Sequence, residues 1–236
     1  MIKFFRKIRQ NLLSEKKYSK YLLYAIGEIL LVVIGILIAL QLNLKQENIS
    51  NQNKIDKYLS LLLKDLEKDK TGVLKCIEFD SLKVENINHY IDSNGLMLNN
   101  STLRFATFME NFTIHNTTYN SIQLNNVFEL IKDIEIQKAI SEYYSYAESV
   151  RDFEQLELNT QYAYFLDNLL KNKRLVQFYH HINNNDDSID LTVEEDNLFY
   201  GYLVHFRDNS NAELKRYNTL TIEIEKLNTL LERYKK

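Results

Sequence analysis

Apolar residues form one continuous block near the start of the chain and stripes at helical spacing after it. The block extends from Tyr21 to Leu44, and positions 29–40 within it are wholly apolar. Because about 20 helical residues cross the hydrocarbon core of a bilayer, the block predicts a transmembrane helix over 21–44. A buried core helix is the alternative, but such a helix is usually shorter and carries polar residues on one side.

A cleavable signal peptide is the second alternative for this block, since basic residues precede it. The apolar core of a signal peptide is shorter and ends at a cleavage site with small residues at two fixed places. Here the block ends Ile38-Ala39-Leu40-Gln41 and lacks that pair. We therefore expect an uncleaved membrane anchor.

The stretch 45–92 predicts a stalk helix that continues from the membrane. It contains no Pro and a single Gly, Gly72, which is the expected site of a bend. Ser93-Asn94-Gly95 is the first strong stop signal. The apolar positions at helical spacing are Ile55, Leu59, Leu62, Leu66, Val73, Ile77, Val84, Ile87 and Ile91.

Residues 93–236 predict a helical domain that packs with the stalk. We expect a short helical segment around 103–112, a long helix from a cap at Asp133 to about Lys171, and a final helix. Capping-box patterns occur at Thr192 with Glu195 and at Ser210 with Glu213. The stripes are Ile136, Ile140, Tyr143, Ala147 and Val150, then Tyr217, Leu220, Ile224, Leu227, Leu231 and Tyr234.

No run alternates with a period of two residues for long enough to predict a sheet. The chain of 236 residues also contains no Pro, where average usage of about 5% would give roughly a dozen. Pro is the strongest interrupter of helices. The sequence thus predicts an all-α protein: an N-terminal interfacial helix, one transmembrane helix, a stalk and an antiparallel helical bundle.

Charge divides the chain into three regions. Residues 1–20 carry seven bases and one acid, residues 21–44 carry only Glu28, and residues 45–236 carry 22 bases and 30 acids. The positive-inside rule therefore places the N-terminus in the cytoplasm and residues 45–236 in the periplasm. A large acidic domain also argues against nucleic-acid binding.

The arm 1–20 predicts contact with membrane lipids. Its apolar residues recur at helical spacing between bases, which is typical of a helix lying on anionic lipid; the alternative is a basic flank that only sets orientation. Three tyrosines are expected at headgroup level. The predicted membrane-surface residues are Lys3, Arg6, Lys7, Arg9, Lys16, Lys17 and Lys20, with Tyr18, Tyr21 and Tyr24.

One acid lies inside the apolar block. An ionised Glu28 at that depth costs on the order of 3 kcal/mol. Glu28, Val32, Gly35 and Ala39 are spaced so that they share one helix face, and the two small residues would let another helix approach closely. We expect this face to contact a membrane protein partner or a second copy; a protonated or snorkelling Glu28 without such a role is the alternative.

The N-terminal segment MIKFFRKIRQ, followed by KYLLYAIGEILLVVIGILIALQ, resembles a family of uncharacterised single-pass envelope proteins of Bacteroidota, known as a domain of unknown function. The resemblance covers residues 1–41 and ends where family members continue Asn-Asn-Trp and this chain has Leu42-Asn43-Leu44. It implies a location and a layout, without an activity.

A weaker resemblance extends over residues 119–144. The family has a Ser-Gly pair where this chain has Asn125-Asn126, and Asn tolerates the left-handed conformation that a Gly turn uses. Ile122, Phe128, Leu130, Ile131, Ile140, Tyr143 and Tyr144 fall in register with the family pattern.

Motifs for catalysis or cofactor binding do not emerge from the sequence. The five His lack the partners that a zinc site needs, Cys76 is a lone thiol, and the Gly residues are too few for a phosphate loop. The acidic stretch 186–196 is expected to be a solvated loop and a helix start. We therefore expect a non-enzymatic accessory or scaffold subunit of an envelope complex, with a ligand-sensing helical bundle as the alternative.

Overall fold

The computed structural model describes residues 18–93, 102, 105, 108–171 and 197–234, and no strand occurs in these ranges. The helices are α1 (Tyr18–Asp92), α2 (Thr117–Leu124), α3 (Val127–Leu130), α4 (Ile134–Lys171) and α5 (Asn197–Tyr234). The predicted all-α class is confirmed. The chain divides into two compact units, residues 1–54 and residues 55–236, and α1 contributes to both.

Helix α1 continues through Gly72, where the sequence predicts a bend. A Cβ added at Gly72 would lie 3.9 Å from Cδ2 of Phe112, an ordinary van der Waals distance. The helix ends at Asp92, as predicted, and Ser93 closes its last turn: its amide donates to the carbonyl of His89 (3.2 Å) and its hydroxyl to the carbonyl of Tyr90 (2.8 Å). These bonds satisfy carbonyls that a helix end otherwise leaves open.

Residues 55–236 bury their apolar faces in one main core shared by α1, α4 and α5. The stripes predicted on α4 and α5 are confirmed, with Tyr234 packing at the edge. Buried positions on α1 recur every three or four residues, as helices packed side by side require. The central side chains are Ile55, Leu59, Leu62, Leu66, Val73 and Cys76 of α1, Ile136, Ile140, Tyr143, Ala147 and Val150 of α4, and Tyr217, Leu220, Ile224, Leu227 and Leu231 of α5.

A second, smaller core lies further along α1. It consists of Ile87 and Tyr90 of α1 against Tyr202, Leu203 and Phe206 of α5. Tyr202 and Phe206 pack edge to face with ring centroids 4.0 Å apart. Because these residues lie four or more positions upstream of Ser210, the packing explains why α5 begins well before the capping pattern at Ser210.

Polar contacts between helices within residues 55–236 show the relative directions of α1, α4 and α5. As the residue number increases along α1, the number of its partner on α5 decreases, and the same is true of α4 and its partners on α5. Helix α5 is therefore antiparallel to both of its neighbours. The pairs are Lys70–Glu225 (3.0 Å) and Asp80–Ser210 (3.1 Å) for α1 with α5, and Glu142–Lys226 (3.5 Å) and Glu135–Arg233 (3.1 Å) for α4 with α5.

Local signals near α4 act as predicted. Asn126, between α2 and α3, has φ 52° and ψ 28°, the left-handed conformation expected of the Asn pair. Asp133 caps α4: its Oδ1 accepts from the backbone amides of Glu135 (2.9 Å) and Ile136 (3.3 Å). Both residues have short polar side chains that compete with helical hydrogen bonding and so end or start helices.

One local prediction is confirmed in part and one is wrong. Within the predicted segment 103–112, Phe105 is helical, whereas residues 108–112 are not, because the amide of Phe112 donates to the side chain of Glu154 (2.9 Å) instead of a helical carbonyl. Ser210 and Glu213 do not cap a helix: both are buried inside α5, where their side chains face α1. The Thr192–Glu195 pattern and the acidic stretch 186–196 lie outside the described residues.

Candidate functional site

The apolar segment of α1 is exposed along its length. The helix contains an 18-residue window of mean hydropathy 2.7, and none of that window is buried inside the structure. Among the described residues this is the one helix long and apolar enough to cross a membrane. Leu23 and Leu31, for example, are 78% and 71% exposed.

The predicted contact face lies on this segment of α1. Val32 is 54% exposed, and a Cβ added at Gly35 would meet no atom within 4 Å. Glu28 is half-buried and Ala39 is exposed. At a spacing of three and four residues all four positions share one face of the helix, so the backbone at Gly35 is open to an approaching helix.

Of the predicted membrane-surface residues, α1 contains Tyr18, Lys20, Tyr21 and Tyr24. Lys20 is exposed and Tyr24 is half-buried. The remaining members lie in the arm, outside the described residues; they are Lys3, Arg6, Lys7, Arg9, Lys16 and Lys17.

Sequence reasoning missed a set of buried polar side chains in residues 55–236. Buried positions on α1 recur every three or four residues from Leu59 onwards. Asp69, Asp80 and Lys83 occupy three of these positions and are 0%, 3% and 1% exposed. Val84, which the apolar pattern favours, is only half-buried. Continuing the spacing instead of selecting apolar residues would have revealed the three charges.

Asp69 holds the segment that precedes α2 against α1. Its Oδ1 accepts from the backbone amide of His115 (2.9 Å) and lies 2.7 Å from Nδ1 of the same residue, and its Oδ2 accepts from the hydroxyl of Tyr143 on α4 (2.6 Å). Since a carboxylate only accepts, this contact selects the imidazole form with a hydrogen on Nδ1. Asp69 thus joins three segments of the chain.

Glu154 on α4 has a similar role in the next layer of the core. Its Oε1 atom accepts from the amide of Phe112 and from the hydroxyl of Tyr217 on α5. Burial raises the pKa of Glu154, while these two hydrogen bonds lower it. The carboxyl therefore ties α4 to α5 and to the segment before α2.

Cys76 of α1 lies near Glu154 and is 1% exposed. Burial, together with the nearby acids Glu154, Glu110 and Asp80, raises the pKa of its thiol to about 12. A nucleophilic Cys needs the opposite shift, because the thiolate is the reactive form. The surroundings of Cys76 therefore favour a role in core packing over a role as a nucleophile.

A group of buried charged side chains joins α1 to α5. Asp80 and Lys83 of α1 meet Ser210 and Glu213 of α5, and we name these four residues the Asp80–Glu213 cluster. Ser210 donates to Oδ1 of Asp80 (3.1 Å). The amine of Lys83 lies 5.0 Å from the ring centroid of Phe206, a cation–π distance.

Within the described ranges, no group of three or more His, Cys, Asp or Glu is arranged to hold a metal ion. Comparison of the chain with protein-family models, with curated proteins and with solved structures finds no match.

Proposed function

We propose that this protein is a single-pass inner-membrane protein with its N-terminus in the cytoplasm and residues 45–236 in the periplasm. The contrast within α1 carries the proposal: the large apolar side chains from Leu22 to Leu44 are exposed, whereas Leu59, Leu62 and Leu66 are buried in a protein core. Large exposed apolar surfaces mark membrane or protein contacts. The charge asymmetry across the block and the resemblance of residues 1–41 support the same placement.

Its role in this proposal is that of a non-enzymatic accessory or scaffold subunit of an envelope complex. The antiparallel helical bundle presents a stable surface, and the face of Glu28, Val32, Gly35 and Ala39 contacts a partner helix or a second copy. Small residues permit close helix packing in lipid, and a carboxyl adds an interhelical hydrogen bond. Residues 1–20 bind anionic lipid at the cytoplasmic surface.

A second candidate function is a sensing bundle that signals through a membrane partner. One observation favours it: charged side chains occupy core positions between α1 and α5. Buried ionisable groups are costly, and they are common where a protein responds to a ligand or to protons. In this candidate function the signal passes through a membrane partner that carries the output domain.

Photo-crosslinking in native membranes tests the proposed contact face. A photoreactive residue at Val32 lies on the face, and one at Leu30 lies on the opposite side at nearly the same depth. The two positions are matched in exposure, at 54% and 55%. We expect a discrete protein adduct from Val32 and lipid adducts alone from Leu30.

Mass spectrometry of the adduct then separates the candidates. A second copy or an envelope protein supports the scaffold role, and a protein with a cytoplasmic signalling domain supports the sensor. Equal adducts from both positions, or none from Val32, would count against a dedicated contact face.

A further inference from the structure

The Asp80–Glu213 cluster is closed to solvent. Asp80, Lys83, Ser210 and Glu213 are 3%, 1%, 0% and 4% exposed. Oδ1 of Asp80 accepts from Ser210, but its Oδ2 is buried without a hydrogen-bond donor in the described ranges of the chain. Such an oxygen is expensive to bury unless a donor reaches it.

The neighbour of Asp80 across the helix contact is the carboxyl of Glu213, which lies in position for a side-chain hydrogen bond. Two carboxylates cannot hydrogen-bond to each other, because both only accept. A proton on one of them provides the missing donor. Asp80 already accepts a hydrogen bond from Ser210 and lies beside Lys83. Both contacts favour the ionised form of Asp80, so the proton belongs on Glu213.

We propose that Glu213 carries a proton which it donates to Oδ2 of Asp80, and that loss of this proton weakens the contact between α1 and the N-terminal half of α5. The contact is then a pH-responsive element in the core. The inference concerns residues 55–236 and does not depend on the proposed membrane placement.

The surrounding charges oppose a second ionised carboxyl. Glu213 faces Asp80 and Lys83 from α1 and Glu154 from α4, and Lys83 also faces Glu157 of α4. With Glu213 neutral, the amine of Lys83 balances Asp80. With Glu213 ionised, three acids surround that amine, and burial, Asp80 and Glu154 together raise the pKa of Glu213 to about 8.

The direction of the pH response follows from this raised value. In an opened state Glu213 meets water and titrates near its ordinary pKa of 4.5. The closed state therefore binds the proton more tightly than the opened state does. Closure is fully favoured below the opened-state pKa of 4.5 and is weakened as the pH rises towards the closed-state pKa of about 8. Between these two pKa values the equilibrium constant for opening of the contact grows about tenfold for each pH unit.

Amide hydrogen exchange of the full-length chain in detergent micelles tests the inference. The measurement compares protection of residues 203–213, next to the cluster, with protection of residues 220–231, on the apolar stretch of the same helix. The ratio of the two removes the intrinsic pH dependence of exchange. Between about pH 6 and pH 7.5 we expect the ratio to fall about 30-fold in the wild-type chain.

Glu213→Gln keeps a donor for Asp80 but cannot ionise, so its ratio should stay constant over the same range. Glu232→Gln is the matched control, since Glu232 is exposed on the same helix, and it should behave like the wild type. A constant ratio in the wild type, or an unchanged fall in Glu213→Gln, would overturn the inference.

Asp80→Asn gives an independent answer if Glu213→Gln does not fold. Removing the negative charge beside Glu213 lowers its pKa in the closed state and leaves its pKa in the opened state unchanged, so the fall in the ratio should end at a lower pH and be smaller between about pH 6 and pH 7.5. A fall as large as that of the wild type would show that the proton is not shared with Asp80.

Discussion

Tyr143 and Tyr144 offer a matched test of the buried polar core. Both are on α4, at 0% and 1% exposure. The hydroxyl of Tyr143 donates to Oδ2 of Asp69 at 2.6 Å, whereas that of Tyr144 donates to the carbonyl of His115 at 3.3 Å. Replacement of either by Phe removes one hydroxyl and preserves the ring, so packing changes little.

The two hydrogen bonds differ in strength because only one has a charged acceptor. Burial, together with Asp69, raises the pKa of Tyr143, so its hydroxyl remains a donor at neutral pH. A hydrogen bond to a charged group contributes about 1.5–3 kcal/mol, and a neutral one about 0.5–1.5 kcal/mol. His115 still supplies two contacts to Asp69 after the change, which keeps the expected loss for Tyr143→Phe near about 2 kcal/mol.

Thermal unfolding of the full-length chain in detergent, followed by circular dichroism, measures the difference. For a unit of this size a loss of about 2 kcal/mol lowers Tm by roughly 4–8 °C. We expect Tyr144→Phe to lower it by less than half as much. Equal effects, or no effect of Tyr143→Phe, would refute the assignment of Asp69 as an ionised acceptor that joins α1 to α4.

Substitutions at three positions test helix α1 itself. Gly72→Ala should stabilise the chain by about 0.5–1 kcal/mol, because Gly72 lies inside the helix and the added Cβ meets Phe112 at an ordinary distance; a lower Tm would contradict the packing at this point. Gly35→Leu should weaken crosslinked complexes in native membranes by forcing helices apart, whereas Glu28→Gln should largely preserve them, since an interhelical hydrogen bond is worth only about 0.6–2 kcal/mol. If Gly35→Leu and Glu28→Leu both leave the complexes unchanged, the face serves as an anchor alone.

Apolar periodicity predicted the helices of this fold well. The stripes around Ile140 and Ile224 identified the buried faces of α4 and α5, because apolar side chains at helical spacing have few alternatives to burial. The cap at Asp133 and the left-handed Asn126 depend on neighbouring residues alone. Short-range chemistry of this kind can be read from sequence.

The polar core could not be predicted in the same way. Hydropathy treats Asp69 and Lys83 as surface residues, although their places in the three-and-four spacing put them inside. Ser210 with Glu213 has the pattern of a capping box, and only contact with Asp80, 130 residues away from Ser210, gives it a different role. The segment at Phe112 is likewise held by a carboxyl 42 residues distant.

Thiol labelling in spheroplasts tests the central claim, the membrane placement, most directly. Cys76 is buried with a pKa raised to about 12, so the native thiol gives little background. Lys20 and Lys64 are exposed positions on either side of the apolar block. We predict that a membrane-impermeant reagent labels Lys64→Cys in intact spheroplasts and labels Lys20→Cys only after lysis; the reverse pattern, or labelling of neither variant before lysis, would contradict a periplasmic domain on a single-pass anchor.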